Sequence, residues 1–322
     1  MVPGATISPE LSEQEWLDAL RRVAEAEGSF SELGADHSAI FVEKDHDVLF
    51  VAVETTFGIK SGSETGLPLA FDVCERRNWS HLTLLAHRQT WFRDSNIYGF
   101  LDRLVDYEFF DQFDQIVFYG SGMCGYAAGA FSVVAPGAYV LMVAPQATLD
   151  RTQTGWDGRF PSARRLSFQD RYEDAAHHVG AAETALVLFD PEELEDAMHA
   201  SLFRGENVIH YRYRRGSAGA IESDLRALSL VSQLADLAIS GKMSPSSVAS
   251  IMRVRKRHVP YLRALLSRVL SEDRPQLTLW LCRNVLADRP LPRFRDHFER
   301  AEIQLGLRTR PSDSEATSRD KA

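Results

Sequence analysis

Residues 118–128 read FYGSGMCGYAA, and the fold turns on how this stretch is read. The run QIVFY (115–119) that leads into it is continuously apolar after its first residue, which is the pattern of a strand covered on both faces. Gly120, Ser121 and Gly122 cut the run off, and a helix of small residues is expected over 123–133. A chain that passes from strand to helix in so few residues needs positions without bulky side chains. They let the backbone adopt a strained turn, and they let helix and strand approach closely. The first N–H groups of such a helix have no partner within it, so the turn is also a place that favours anions.

Outward from this turn the chain alternates. An amphipathic helix is expected near 12–26, where Trp16, Leu17, Leu20 and Val23 recur at helical spacing. Two strand signals follow, SAIFVE (38–43) and DVLFVAVE (47–54); the short polar link KDHD predicts that they pair as an antiparallel hairpin. A helix near 68–78 leads to the strand HLTLLA (81–86), and a helix near 95–107 leads to QIVFY. Beyond the turn come AYVLMVA (138–144), a polar and aromatic insertion, TALVLFD (184–190), a helix over 192–204 and NVIHYRY (207–213). Strands separated by helices of this length predict βαβ units and a mainly parallel sheet flanked by helices, an α/β fold in three layers.

From about residue 222 the pattern is helical only. DLRALSLVSQLADLAISG reads as one helix stopped by Gly241, and three more follow, with Leu262, Leu265, Leu266, Leu277, Trp280 and Leu281 expected as their core. Their lengths and short turns are weakly similar to a tetratricopeptide hairpin. The expected organisation is an N-terminal helix (1–30), an α/β domain (31–240) with a lid-like insertion at 150–182, a helical extension (241–306) and a polar tail (307–322) without apolar anchors, expected to be disordered.

Composition bounds the partners. Among 322 residues, 36 Lys and Arg stand against 45 Asp and Glu, a formal charge of −9 that argues against nucleic acid and anionic membranes. Cys74, Cys124 and Cys282 are far apart and odd in number, which fits a reducing compartment and no disulfide framework. His177–His178 and KDHD lack metal-ligand company, so neither a metal nor another cofactor is expected. The N-terminal MVPGATISPELSEQEW has no basic segment followed by an apolar one, and no apolar run reaches the ~18–20 residues of a membrane span. A cytoplasmic protein is expected.

Over roughly 38–240 the order of elements resembles the α/β-hydrolase fold. In that family the strand-to-helix turn is a nucleophile elbow, Gly-x-Ser-x-Gly, often continued as Gly-x-Ser-Met-Gly-Gly-Tyr. Gly120, Met123, Gly125 and Tyr126 fall in register with it, which puts Gly122 in the nucleophile position and Cys124 at the second motif glycine. Two neighbours are alternative nucleophiles. Ser121 has Tyr119 and Met123 where small residues belong. Cys124 fits Gly-x-Cys-x-Gly only up to Tyr126, although a helix N-terminus favours a thiolate. The resemblance places the acid at Asp190, which also reads as a helix-capping or turn residue before Pro191. It places the histidine in RYRRGSAGAIES (212–223), where none stands; His199 reads as a helix-face residue and His210 lies within a strand. Without imidazole a hydroxyl at this turn has no general base. The loop TTFGIKSGSETG after Glu54 also lacks the His-Gly-Gly type of oxyanion signature.

In open α/β sheets the binding crevice lies beyond the carboxyl ends of the strands, and there Phe57, His87, Gly122, Met123 and Gln146 are the expected ligand-binding residues. HRQTWFRD (87–94) adds Arg88, Trp91 and Arg93 at one strand end, either to that crevice or as a packing aromatic among solvated charges; the Arg and Trp residues of the insertion either close over an acidic ligand or pair with nearby aspartates. The chain also resembles bacterial proteins with FYG-x-GM-x-GYAA and DAMHA-x-LF stretches that often carry the name phosphoadenosine phosphosulfate reductase. The phosphate loop and the C-terminal Cys-Gly-Leu-His that such reductases share are absent here. The expectation is a non-catalytic, hydrolase-like protein that binds a small ligand, anionic or neutral, or a protein partner. The alternative is an acyl hydrolase or transferase built on Cys124 or Ser121, and the reductase ranks last.

Overall fold

The computed structural model describes residues 6–215 and 218–308. They form two compact units, through Met252 and from Arg253 onward. The expected disordered tail lies, from residue 309, outside the described residues.

The first unit is built on one eight-stranded sheet: β1 (Ser29–Leu33), β2 (His37–Val42), β3 (Asp45–Thr55), β4 (Trp79–Ala86), β5 (Gln115–Ser121), β6 (Tyr139–Val143), β7 (Thr184–Phe189) and β8 (Val208–Arg212). In space the order is β1-β2-β4-β3-β5-β6-β7-β8. β3 to β8 run parallel, while β1 and β2 pair antiparallel at one edge. This is the α/β-hydrolase-like, three-layer architecture, with QIVFY in the centre as its apolar run predicts.

Helices precede, connect and follow the strands: α1 (Glu13–Glu27), α2 (Thr56–Gly62), α3 (Leu69–Glu75), α4 (Ser95–Asp106), α5 (Met123–Phe131), α6 (Arg151–Thr154), α7 (Ala175–His178), α8 (Leu194–Ala200), α9 (Ala218–Ala227), α10 (Leu230–Ile239) and α11 (Pro245–Met252). Side chains alternate between the two faces of the sheet. Leu49, Val51 and Val53 of β3 join Ile116 and Phe118 in a core shared with α4 and α5. Val48, Phe50 and Ala52 join Val117 and Tyr119 in the opposite core, completed by Leu225, Leu230, Leu234, Val248 and Met252. Trp16 and Leu20 of α1 fill a third core beneath the antiparallel edge.

The structure corrects the sequence reading at several points. The strands 38–43 and 47–54 do not form a hairpin, because β4 lies between them. β3 is apolar on both faces and takes parallel neighbours on both sides, so its link to β2 crosses the start of β4. Buried Ser80 of β4 pins that crossing, accepting from Lys44 N at 2.8 Å and donating to Asp45 O at 2.7 Å. β1 escapes detection because SFSEL is short and mostly exposed. The helix read through 224–241 is two helices, α9 and α10, divided at Ser229, whose φ is +50°.

In the second unit α12 (Val259–Ser271), α13 (Pro275–Asp288) and α14 (Pro292–Gln304) bury Leu262, Leu266, Val269, Cys282, Val285 and Phe294. Leu281 is partly buried against this core and Leu265 is half-buried, but Leu277 and Trp280 are exposed, contrary to the expected core. The helical phase places Cys282 and Val285 inward in their stead.

Candidate functional site

The turn at the end of β5 has the geometry its sequence implies. Gly122 caps α5 with φ +56° and ψ −122°, a backbone that side-chain-bearing residues rarely adopt. Its N–H donates to Val143 O at 2.8 Å, and its carbonyl accepts from Tyr126 N at 2.9 Å, so the turn is tied to both β6 and the helix. A Cβ built at Gly122 meets nothing within 4 Å. Gly122→Ser is therefore expected to fold at a cost of about 1–3 kcal/mol, the range for a residue held in a sparse backbone region. Gly122→Val should cost more, since a β-branched residue tolerates positive φ worst. Thermal melts of the two variants check this order.

A cavity of about 370 Å³ opens over the turn. Ser121, Gly122, Met123 and Cys124 of the elbow line it, together with Phe57, His87 and Gln146 from neighbouring strand ends, so seven of the residues picked from sequence meet there. Asp190 does not line it. Its buried carboxylate accepts from Glu192 N at 2.9 Å and holds the turn that leads into α8. Phe57 lies in the first turn of α2 and is 79% exposed. His87 Nε2 bonds Ser38 Oγ at 3.1 Å, and burial lowers its pKa. Met123 turns its sulfur toward Trp91 N, 3.1 Å away. That contact helps to hold Trp91 in the cavity wall, where it and the core residue Phe92 are consecutive residues at φ +55° and +54°.

Cys124 is buried, and its pKa is pushed well above the ordinary thiol value, first by desolvation and then by the carboxylates of Glu222 and Glu54. These effects outweigh the pull of the helix N-terminus and keep the group a thiol, the less nucleophilic form.

Four wall residues escape a motif-based reading. Glu54, at the end of β3, is fully buried and accepts from Leu69 N at 2.8 Å and from Arg226 Nη2 at 2.6 Å. Glu222, one helical turn before Arg226, approaches the same guanidinium at 3.2 Å. Tyr119 stands beside them with its hydroxyl buried and unpartnered. The signals were a glutamate ending an apolar strand and a Glu–Arg pair at i,i+4 in α9. Glu222 comes from the very segment, RYRRGSAGAIES, where an imidazole would stand in the resembled family.

The histidine on α8 is engaged elsewhere. His199 Nδ1 accepts from Ala147 N at 3.2 Å, which leaves the proton on Nε2, 3.0 Å from Asp157 Oδ2. Trp156 covers the ring at 4.7 Å, and Arg159 bridges Asp157 to Asp196. The Arg–Asp reading of the insertion is thus realised here and again between Arg171 and Asp102. Burial pushes the His199 pKa down to about 4, despite Asp157.

This predicts a pH signature. The unfolded chain binds a proton at this residue that the folded one refuses between its ordinary value near 6.5 and about 4, so His199 costs the fold stability as pH falls through that window. In urea unfolding, the stability gap between wild type and His199→Gln should narrow by about 1.4 kcal/mol per pH unit from pH 6 to 4.5. A gap independent of pH would show His199 to be charged in the fold.

No protein-family model matches the chain. No curated protein matches it either. Among solved structures, the chain is similar to an esterase from Pyrobaculum calidifontis (15% identity, TM-score 0.41, covering 74% of this chain and 96% of that one). It is also similar to EstE1, a thermostable carboxylesterase cloned from a metagenomic library (16%, 0.41, 74% and 100%). A third likeness is to carboxyl esterase 2 from the fungus Tuber melanosporum (12%, 0.44, 67% and 84%). The strand order, not these distant likenesses, defines the fold. Among the described residues no helix is long and apolar enough to cross a membrane.

Proposed function

We propose that this protein is a hydrolase-like binding protein whose cavity holds a small ligand at the α5 N-terminus without cleaving it. The observation that carries this reading is Gly122: the turn that elsewhere presents a nucleophile here presents open space above free helix N–H groups. The neighbouring groups support it. Cys124 is held as a thiol, His87 is tied to Ser38, and His199 is locked onto Asp157. The cavity wall combines apolar side chains with a few placed polar ones, which suits a small molecule.

A fluorophosphonate labels a serine only where a base and an oxyanion hole activate it. The expected result is no labelling of wild type, and none of Gly122→Ser, whose hydroxyl would stay protonated. Labelling of wild-type Ser121 would overturn the reading in favour of an acyl hydrolase.

A further inference from the structure

We infer that the ligand is a zwitterion, an α-amino acid with an apolar side chain, its carboxylate at the amides of Met123 and Cys124 and its ammonium at Glu222 and Tyr119. This rests on the binding reading above and names its ligand class.

Two poles of opposite demand face the same cavity. At one, Gly122 caps α5 with no side-chain hydrogen bond and leaves open space, so an anionic group has room and donors. Elsewhere on the wall acceptors wait for donors. Gln146 is 3% exposed; its Nε2 donates to Ala144 O at 3.3 Å, which fixes the amide's orientation, and its Oε1 has no partner. The hydroxyl of Tyr119, 2% exposed, is likewise buried and unpartnered. Leaving such groups unpaired is costly, and Tyr119 lies within electrostatic reach of Glu222, so an ammonium with three N–H donors answers that pair.

Charge selects the same ligand. Arg226 is shared by two carboxylates, Glu54 and Glu222, so this corner carries one negative charge in excess. Glu222 meets Arg226 through Oε1, and its Oε2 makes no hydrogen bond among the described residues. The other wall arginines are committed, Arg88 to Asp36 and Arg159 to Asp157 and Asp196. A simple carboxylate would meet the helix N-terminus but face the excess charge, and a simple amine would leave the N-terminus empty. Val53, Trp91, Met123 and Phe160 supply the apolar wall for a side chain.

Isothermal titration with three probes tests this: L-phenylalanine, L-phenylalaninamide, which lacks the carboxylate, and 3-phenylpropanoate, which lacks the ammonium. L-Phenylalanine should bind, and each truncated probe should bind at least about tenfold more weakly, the usual loss for a charged hydrogen bond. Glu222→Gln should weaken L-phenylalanine by about tenfold and tighten 3-phenylpropanoate, since it removes the charge that opposes a lone carboxylate. If that variant does not fold, Tyr119→Phe should weaken L-phenylalanine severalfold. No binding of L-phenylalanine would overturn the inference. Binding of 3-phenylpropanoate as tightly as L-phenylalanine would overturn it too, while leaving a binding site for carboxylates. Turnover of a phenylalanine ester by the same preparation would remove the underlying non-catalytic reading instead.

Discussion

Gly120→Ala is expected to be the most disruptive single-atom change in the elbow. The added Cβ would lie 2.1 Å from Cys124 O, 2.4 Å from Cys124 C and 2.8 Å from Gly125 N, all backbone atoms. They cannot yield, because α5 is anchored through Gly122 to Val143 and is buried along almost its whole length. The loss should reach at least about 3 kcal/mol, the upper range for overpacking. Gly122→Ala, two residues away, meets nothing within 4 Å and carries only the cost of its backbone angles. Urea unfolding of the pair should therefore separate them clearly, and equal losses would contradict the close approach of helix and strand at Gly120.

Arg226→Met should be comparably damaging for an electrostatic reason. It leaves the buried Glu54 carboxylate with only the Leu69 N–H, and stranding one member of a buried pair costs about 3–5 kcal/mol. Glu54 already has its pKa raised by burial, with Arg226 opposing the shift; removing Arg226 raises it further. A folded-state pKa above the unfolded one gives stability that is lost as pH rises through it, so the variant's deficit should be smallest in mild acid and grow toward neutrality. Adding Glu54→Gln should restore most of the loss. A double variant no more stable than Arg226→Met would show that the arginine acts through packing instead.

The sheet was legible because its signals are local. Each central strand is a continuous apolar run, and the glycines of the elbow announce a turn that only small residues permit. Strand order at the edge was not legible, since the short polar link KDHD reads as a hairpin whether it joins neighbours or crosses β4; Ser80, which pins the crossing, is distant in sequence. The rim of the cavity was equally visible, because Phe57, His87, Gly122 and Gln146 all stand at strand ends. Its polar corner was not. Glu54, Tyr119 and Arg226 come from three elements, and nothing local says that a glutamate at residue 54 meets an arginine at residue 226. The same holds for His199, whose helix-face appearance hides a partner forty-two residues away.

The most direct measurement of the central claim is acyl trapping at the elbow. Wild-type protein is incubated with p-nitrophenyl acetate, quenched, digested and mapped by mass spectrometry, with nitrophenolate release followed in parallel. A working nucleophile would give a burst and a stoichiometric acetyl group at one residue. The account predicts no burst, no turnover above an unfolded control, and unmodified Ser121 and Cys124. A burst with acetyl on Cys124 or Ser121, abolished by substituting that residue with alanine, would contradict it.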